Sequence, residues 1–232
     1  MPESHYADVR SLHFFHEMAD ENFERLMRAA YVQTFPPMVE LVREGDHSDF
    51  FHVVVSGSVE LFSSWNGRET SMATVRPISS FILAATIKDA PYLMSGRTLE
   101  KSRLVLIPSQ DVRAVFEEDG NFARAIVAEL AQCYRSVVKS QKDMKLRTSL
   151  ERLANYLLRQ QNKAGGAESF ELDITKARMA SRLGMTPENL SRALKGLQPY
   201  GVSVNGATVT IADRRDLEQF ARPSPLIDDY TT

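Results

Sequence analysis

The chain has one cysteine, Cys133, in 232 residues. An internal disulfide is therefore excluded, and the several thiolates that an iron–sulfur cluster or a sulfur-bound structural zinc requires are missing. Long apolar runs are missing as well. The longest, at 50–55 and 80–87, fall far short of the roughly 20 residues that span a bilayer. The start, Met1-Pro2-Glu3-Ser4-His5-Tyr6, has no basic stretch leading into an apolar block. The expectation is a cytoplasmic protein that meets no membrane. Catalytic signatures are also absent. Asp20 stands where a zinc-protease helix opening at His16-Glu17 would need its second histidine. Val55-Ser56-Gly57-Ser58 does not form a nucleophile elbow, and there is no phosphate-cradling glycine loop. The expectation is a protein that is not an enzyme and has no catalytic residues.

Charge is present but unevenly divided. Residues 1–144 hold 15 Lys+Arg against 20 Asp+Glu, whereas residues 145–222 hold 13 against 8. A basic C-terminal segment beside an acidic N-terminal one is what results when only one part approaches phosphates. Apolar periodicity divides the chain in a related way. Phe15, Met18, Phe23, Leu26, Met27 and Ala30 are spaced as on short amphipathic helices. From Val39 to Ile107 the pattern turns to short strands separated by Gly and Asp, with Trp65-Asn66-Gly67-Arg68 suited to a tight hairpin. After Gly120 the spacing is helical again. Phe122, Ile126, Leu130, Cys133, Val137 and Met144 form one stripe, which suits a helix that pairs with a second copy of the chain. Packing of that helix on its own β-domain is the competing reading, and Cys133 is read as an apolar member of the stripe rather than a redox switch. A further helix covers 150–161 and ends at a Gly-rich turn. Charge runs at 117–119 and 139–147 are expected to be solvated helix faces.

The most informative segment runs from Thr175 to Leu197. Thr175 can cap a first helix, Ala180 permits close approach, and Gly184 can end that helix in a left-handed conformation. Thr186 can cap a second helix, with Pro187 at its first position and Glu188 at the positive end of its dipole. Met179, Leu183, Met185, Leu190 and Ala193 then fall inward. Glu188, Asn189, Ser191, Arg192 and Lys195 are left outward, with chemistry suited to base edges and phosphates. Thr175, Arg178 and Thr186 complete the expected DNA-contacting set. Val202 to Ile211 follow as a strand hairpin, the wing of a winged helix-turn-helix.

These segments together resemble the CRP/FNR superfamily of transcription regulators. Arg43-Glu44-Gly45-Asp46 followed by Phe51 to Glu60 looks like the family's cyclic-nucleotide-binding-type roll, and the resemblance extends to about Ala221. Glu188, Ser191 and Arg192 match the Glu-x-x-Ser-Arg pattern of the FNR-like branch, which implies half-sites similar to TTGAT in a palindrome; the cyclic-AMP branch has glycine at the position of Ser191. The implied fold is α+β: an antiparallel β-roll with N-terminal helices over 1–118, a dimerisation helix and hinge over 119–146, a winged helix-turn-helix over 147–222 and a flexible tail over 223–232. The movable joint is expected near 144–149. The implied partners are double-stranded DNA, a second copy of the chain, RNA polymerase and a small-molecule effector.

Relatives that bind cyclic AMP hold it with a Gly-Glu pair and an Arg-Ser pair. These align with Leu83, Ala84, Met94 and Ser95, of which only the serine matches. Without the glutamate and the arginine, the charge-assisted bonds that offset desolvation of a cyclic phosphate are missing. Cyclic AMP is therefore not expected, although Arg97 on the strand face of Ser95 can partly substitute. The N-terminal cysteines of the oxygen-sensing branch are absent, which excludes its cluster. Two effector classes remain. One is a small organic molecule in an apolar cavity formed by Leu83, Ala84, Met94, Ser95 and Arg97. The other is haem sensing a gas such as nitric oxide, with an axial histidine among His5, His13, His16, His47 and His52, and His13 or His16 foremost. A regulatory module that acts on a protein partner without DNA is the alternative function.

Overall fold

The computed structural model describes residues 4–172 and 174–229, with side chains from Ala7 onward. The chain forms two compact units, Met1–Ala131 and Gln132–Thr232. Among the described residues no helix is long and apolar enough to cross a membrane.

The first unit opens with three short helices, α1 (Ser4–Arg10), α2 (His13–His16) and α3 (Asp20–Ala29). Two four-stranded antiparallel sheets follow. One has the order β1 (Tyr31–Phe35), β8 (Ser102–Pro108), β3 (Phe50–Ser56), β6 (Ser79–Phe81). The other has the order β2 (Glu40–Val42), β7 (Ser95–Thr98), β4 (Val59–Trp65), β5 (Arg68–Val75). The expected tight hairpin joins β4 to β5: Trp65 pairs with Arg68, and Asn66 and Gly67 take φ of 49° and 73°. Positive φ at both central positions gives the type I′ twist that matches the flanking strands. A short helix α4 (Leu83–Lys88) interrupts the strands, and α5 (Ser109–Glu118) closes the roll.

β3 is buried on both faces, which explains its continuous apolar run. Phe51 and Val53 join the layer containing the helices, whereas Val54 joins the layer between the sheets, with Val59, Leu61, Phe81 and Leu104. In the helical layer Phe15 stacks on Phe122 at 5.8 Å with planes 2° apart. Phe122 and Ile126 belong to the long helix α6 (Gly120–Leu146) and are fully buried in this core. They were expected in a dimer interface; instead they fasten the start of α6 to its own roll. Leu130 packs half-buried on the same core, and Cys133 is exposed rather than an apolar core residue.

The run at 117–119 is not wholly a solvated face. Asp119 is buried and accepts the backbone N–H groups of Asn121 and Phe122, both at 3.0 Å, so it caps α6. It also accepts from Ala19 N–H at 2.9 Å and from the Asn22 amide. Burial alone would raise its pKa, but these donors together hold it below the ordinary carboxylate value.

In the second unit α7 (Ser149–Lys163) starts at a capping box, with Thr148 and Glu151 bonding each other's backbone N–H. Then come β9 (Ser169–Glu171), α8 (Lys176–Arg182), α9 (Pro187–Gly196), β10 (Val202–Asn205), β11 (Thr208–Ile211) and α10 (Arg214–Ala221). β10, β11 and β9 pair in that order as a small antiparallel sheet. Leu153, Leu157, Met179, Leu190, Leu197 and Val209 form the centre of the core. The tail from Pro223 differs from the flexible segment expected: Pro225–Asp228 form a helical turn, α11, with Ile227 buried. The run at 139–147 also departs from a solvated face, because Lys139 and Asp143 are buried and Arg147 is nearly so.

Candidate nucleic-acid interface and effector region

α8 and α9 are built by local rules. Thr175 accepts from Arg178 N–H at 3.3 Å and Thr186 from Asn189 N–H at 3.2 Å, so each helix begins on a hydroxyl that satisfies one of its open donors. Pro187 occupies the first turn of α9. Gly184 has φ of 63°, a left-handed conformation that favours glycine, and a Cβ there would meet only the flexible end of Met144. Met179, Ala180, Leu183, Leu190 and Ala193 are buried, which fixes the crossing of the two helices.

The outward face of α9 is as expected. Glu188, Asn189, Ser191, Arg192 and Lys195 are all exposed, as are Thr175 and Thr186, whereas Arg178 is half-buried. The Arg192 guanidinium donates to Asn189 Oδ1, one helical turn away. Ser191 donates to the Pro187 carbonyl at 3.0 Å. The backbone N–H at Glu188 and the Thr186 hydroxyl hold the Glu188 carboxyl below its usual pKa, so it is an ionised acceptor at neutral pH. These partners are a turn or less away on an exposed surface. Each can be exchanged for a nucleic-acid group with little cost.

The residues expected to form an effector cavity are not brought together in that way. Leu83 belongs to the helical-layer core, Ala84 is exposed on α4, and Met94 packs at the edge of the inter-sheet core. Ser95 is buried, and its hydroxyl accepts from Glu44 N–H at 3.0 Å. Arg97 donates to Glu60 Oε2 at 2.7 Å and to Glu69 Oε1 at 2.5 Å, and lies 4.2 Å from the centre of the Phe62 ring. Hydrogen bonding to Glu69, opposed by burial and reinforced by Glu60, raises its pKa further. Sequence spacing missed this pair of carboxylates, because they come from other strands.

Two clefts are lined by other residues. One, of about 500 Å³, lies over α1 and α3, with Arg10, Phe23, Met27 and Arg28 among its walls. The other, of about 550 Å³, lies between β2 and the following loop; Val42, Phe50, His52 and Tyr92 line it, Glu40, Arg43, Asp46 and Asp49 add charge, and His47 adds a polar ring.

These surroundings do not fit haem. His13 and His16 are exposed and line neither cleft, while Phe14 and Phe15 between them are buried. His47 is exposed beside Asp49 and Asp89, and the side chain of His5 lies outside the described residues. His52 is buried and stacked on Phe81 at 4.9 Å. Burial pushes its pKa down to about 4. Its cleft carries the charged groups named above rather than the apolar walls that a haem plane needs.

Known proteins show the same two-part organisation. Residues 32–119 match the cyclic nucleotide-binding domain model and residues 151–220 the Crp-like helix-turn-helix domain model, together more than half of the chain. The transcriptional activator protein anr of Pseudomonas aeruginosa is 23% identical over 182 residues, covering 76% of this chain and 75% of that protein. A candidate cAMP-binding regulatory protein from Silicibacter pomeroyi is 25% identical with a TM-score of 0.57, covering 95% of this chain and 100% of that one. FixK2 from Bradyrhizobium japonicum shares the fold at 20% identity with a TM-score of 0.69, over 84% of this chain and 98% of its own. A chain that carries both units, in this order and along most of the length of a known transcriptional activator, belongs to the CRP/FNR family of transcription regulators rather than to an enzyme family.

Proposed function

We propose that the protein is an effector-controlled homodimer that reads a TTGAT-type palindrome with two copies of α9. The observation that carries this reading is the outward row Glu188, Ser191 and Arg192 on a helix whose start is fixed by Thr186 and Pro187. A planar guanidinium can donate two bonds to guanine, and an ionised carboxylate can accept from the cytosine amino group.

Dimerisation is supported by α6. Val127, Leu130, Tyr134, Val137, Gln141 and Met144 alternate in steps of three and four, the spacing of a coiled-coil seam. Val127, Tyr134 and Val137 are 59%, 70% and 64% exposed, and Met144 is 43% exposed. A second copy pairing along this face would cover them, with Gln141 as a polar position that favours one register. Cys133 lies beside the seam. Two α9 helices would then enter successive major grooves about 34 Å apart.

The effector we favour is a small organic molecule other than cyclic AMP. Arg97 is already engaged by two carboxylates and Ser95 by a backbone donor. An incoming cyclic phosphate would meet buried Glu60 rather than an open cation. Effector binding would shift the balance between productive and unproductive settings of the DNA heads, and the DNA-bound dimer would meet RNA polymerase. The test is a gel-shift series with a TTGAT palindrome, a scrambled duplex, and added cyclic AMP. Preference for the palindrome and indifference to cyclic AMP are expected. Equal retention of both duplexes would favour a regulator that works through a protein partner.

A further inference from the structure

The segment beyond α10 folds back across the junction between α6 and α7. Its Asp228 carboxylate accepts from both terminal nitrogens of Arg147 at 2.7 Å, from Arg159 at 2.5 Å, and from Ser224 N–H at 2.7 Å. Arg147 also holds Asp143 at 3.0 Å, one turn back on α6. Burial would raise the Asp228 pKa, but Arg147, the Ser224 N–H and Arg159 hold it below the ordinary value. Two lysines of α6 secure the backbone of the segment: Lys139 donates to the Asp229 carbonyl and Lys142 to the Leu226 carbonyl at 3.3 Å. Ile227 is buried beneath.

These bonds continue into the DNA-reading helices. Arg147 lies between the end of α6 and the start of α7. Its carbonyl accepts from Arg152 Nη1 at 2.8 Å, and Arg152 Nε donates to the Leu183 carbonyl at 3.1 Å. Leu183 closes α8, immediately before the turn at Gly184. One connected set of bonds therefore runs from the C-terminal segment through the junction to the helix-turn-helix.

We propose that Ser224–Asp229 is a strap that sets the angle between the end of α6 and the α8–α9 pair, with Asp228 a positioning residue acting through Arg147 and Arg152. The inference rests on the reading of α6 as the dimer helix and α9 as the DNA reader. A largely buried carboxylate shared by two guanidiniums suits a two-state lock, because removing it takes away the acceptor that joins Arg147 to Arg159 and favours release of the whole strap. Released, α9 is no longer held at one distance from its copy across the dimer.

The test uses the full chain with Asp228→Asn and, separately, Ile227→Ala, which loosens the strap without touching its charges. Two quantities are read: amide hydrogen exchange at 146–149 in the absence of DNA, and binding to palindromes whose half-sites are moved together or apart by one base pair. The parent should prefer one separation by on the order of ten-fold. Both variants should flatten that preference and exchange about ten-fold faster at 146–149, with amides of Met179 and Leu190 unchanged. Should Asp228→Asn fail to fold, Ile227→Ala decides alone. A purely structural role predicts equal weakening at every separation together with faster exchange throughout the helix-turn-helix. That result, or a folded Ile227→Ala identical to the parent, overturns the strap. A parent that binds no palindrome at any separation contradicts the proposed function instead, and the exchange measurement still decides the strap.

Discussion

Arg192 and Arg97 present the same guanidinium in opposite surroundings. Arg97 is closed by Glu60 and Glu69, whereas Arg192 donates to its helical neighbour Asn189 and faces solvent. Replacing Arg192 by Ala should cost about 1–3 kcal/mol against the preferred site and little against random DNA. Fluorescence anisotropy with matched and scrambled duplexes checks this. His52 makes a different prediction, about pH. Its folded pKa of about 4 lies below the ordinary 6.5. As pH falls below 6.5 the unfolded chain takes up a proton that the folded one refuses. The contribution is therefore full above that value and is lost towards pH 4, by about 3 kcal/mol. In denaturant titrations of the roll, His52→Phe should remove this slope. At this scale the sequence revealed what depends on near neighbours. The caps Thr175 and Thr186 act three residues along the chain. Glu60 and Glu69 reach Arg97 from 37 and 28 residues away, which spacing cannot reveal.

A helix such as α6 has two apolar faces with different duties. Phe122→Ala should destabilise the first unit by about 3–5 kcal/mol, because it empties a core position stacked on Phe15. Val137→Glu should leave that unit's melting unchanged and weaken self-association, since Val137 is exposed in the single chain. Thermal unfolding and analytical ultracentrifugation separate the two effects. Apolar periodicity places one stripe along α6, with Leu130 and Val137 as seam residues, and does not separate from it the exposed face that holds Val127 and Tyr134. The periodicity could not assign Phe122 and Ile126, because their partners Phe15 and Phe51 come from distant elements of the roll. β1 was not legible either. Tyr31–Phe35 alternates weakly and includes Gln33 and Thr34, and its pairing with β8 defines it as a strand. The folded tail was not legible, because Arg147 and Arg159 converge on Asp228 from 81 and 69 residues away.

For the whole molecule, the division of charge matches the division of labour. The unit that carries α9 is the basic one, so binding to DNA should fall steeply with salt, by roughly a thousand-fold or more between 50 and 200 mM if about six phosphates are neutralised. The two-unit order was legible because strand periodicity and helical periodicity change near Gly120. The effector was not, because Leu83, Ala84 and Met94 are shared among separate surroundings rather than gathered around one cavity. The most direct test of the central claim measures binding stoichiometry and affinity on a TTGAT palindrome and on the same duplex with one half-site scrambled, at fixed salt. Two chains per palindrome, with at least a ten-fold loss on the half-scrambled duplex, is the predicted result. One chain per duplex, or equal affinity for both, would contradict it.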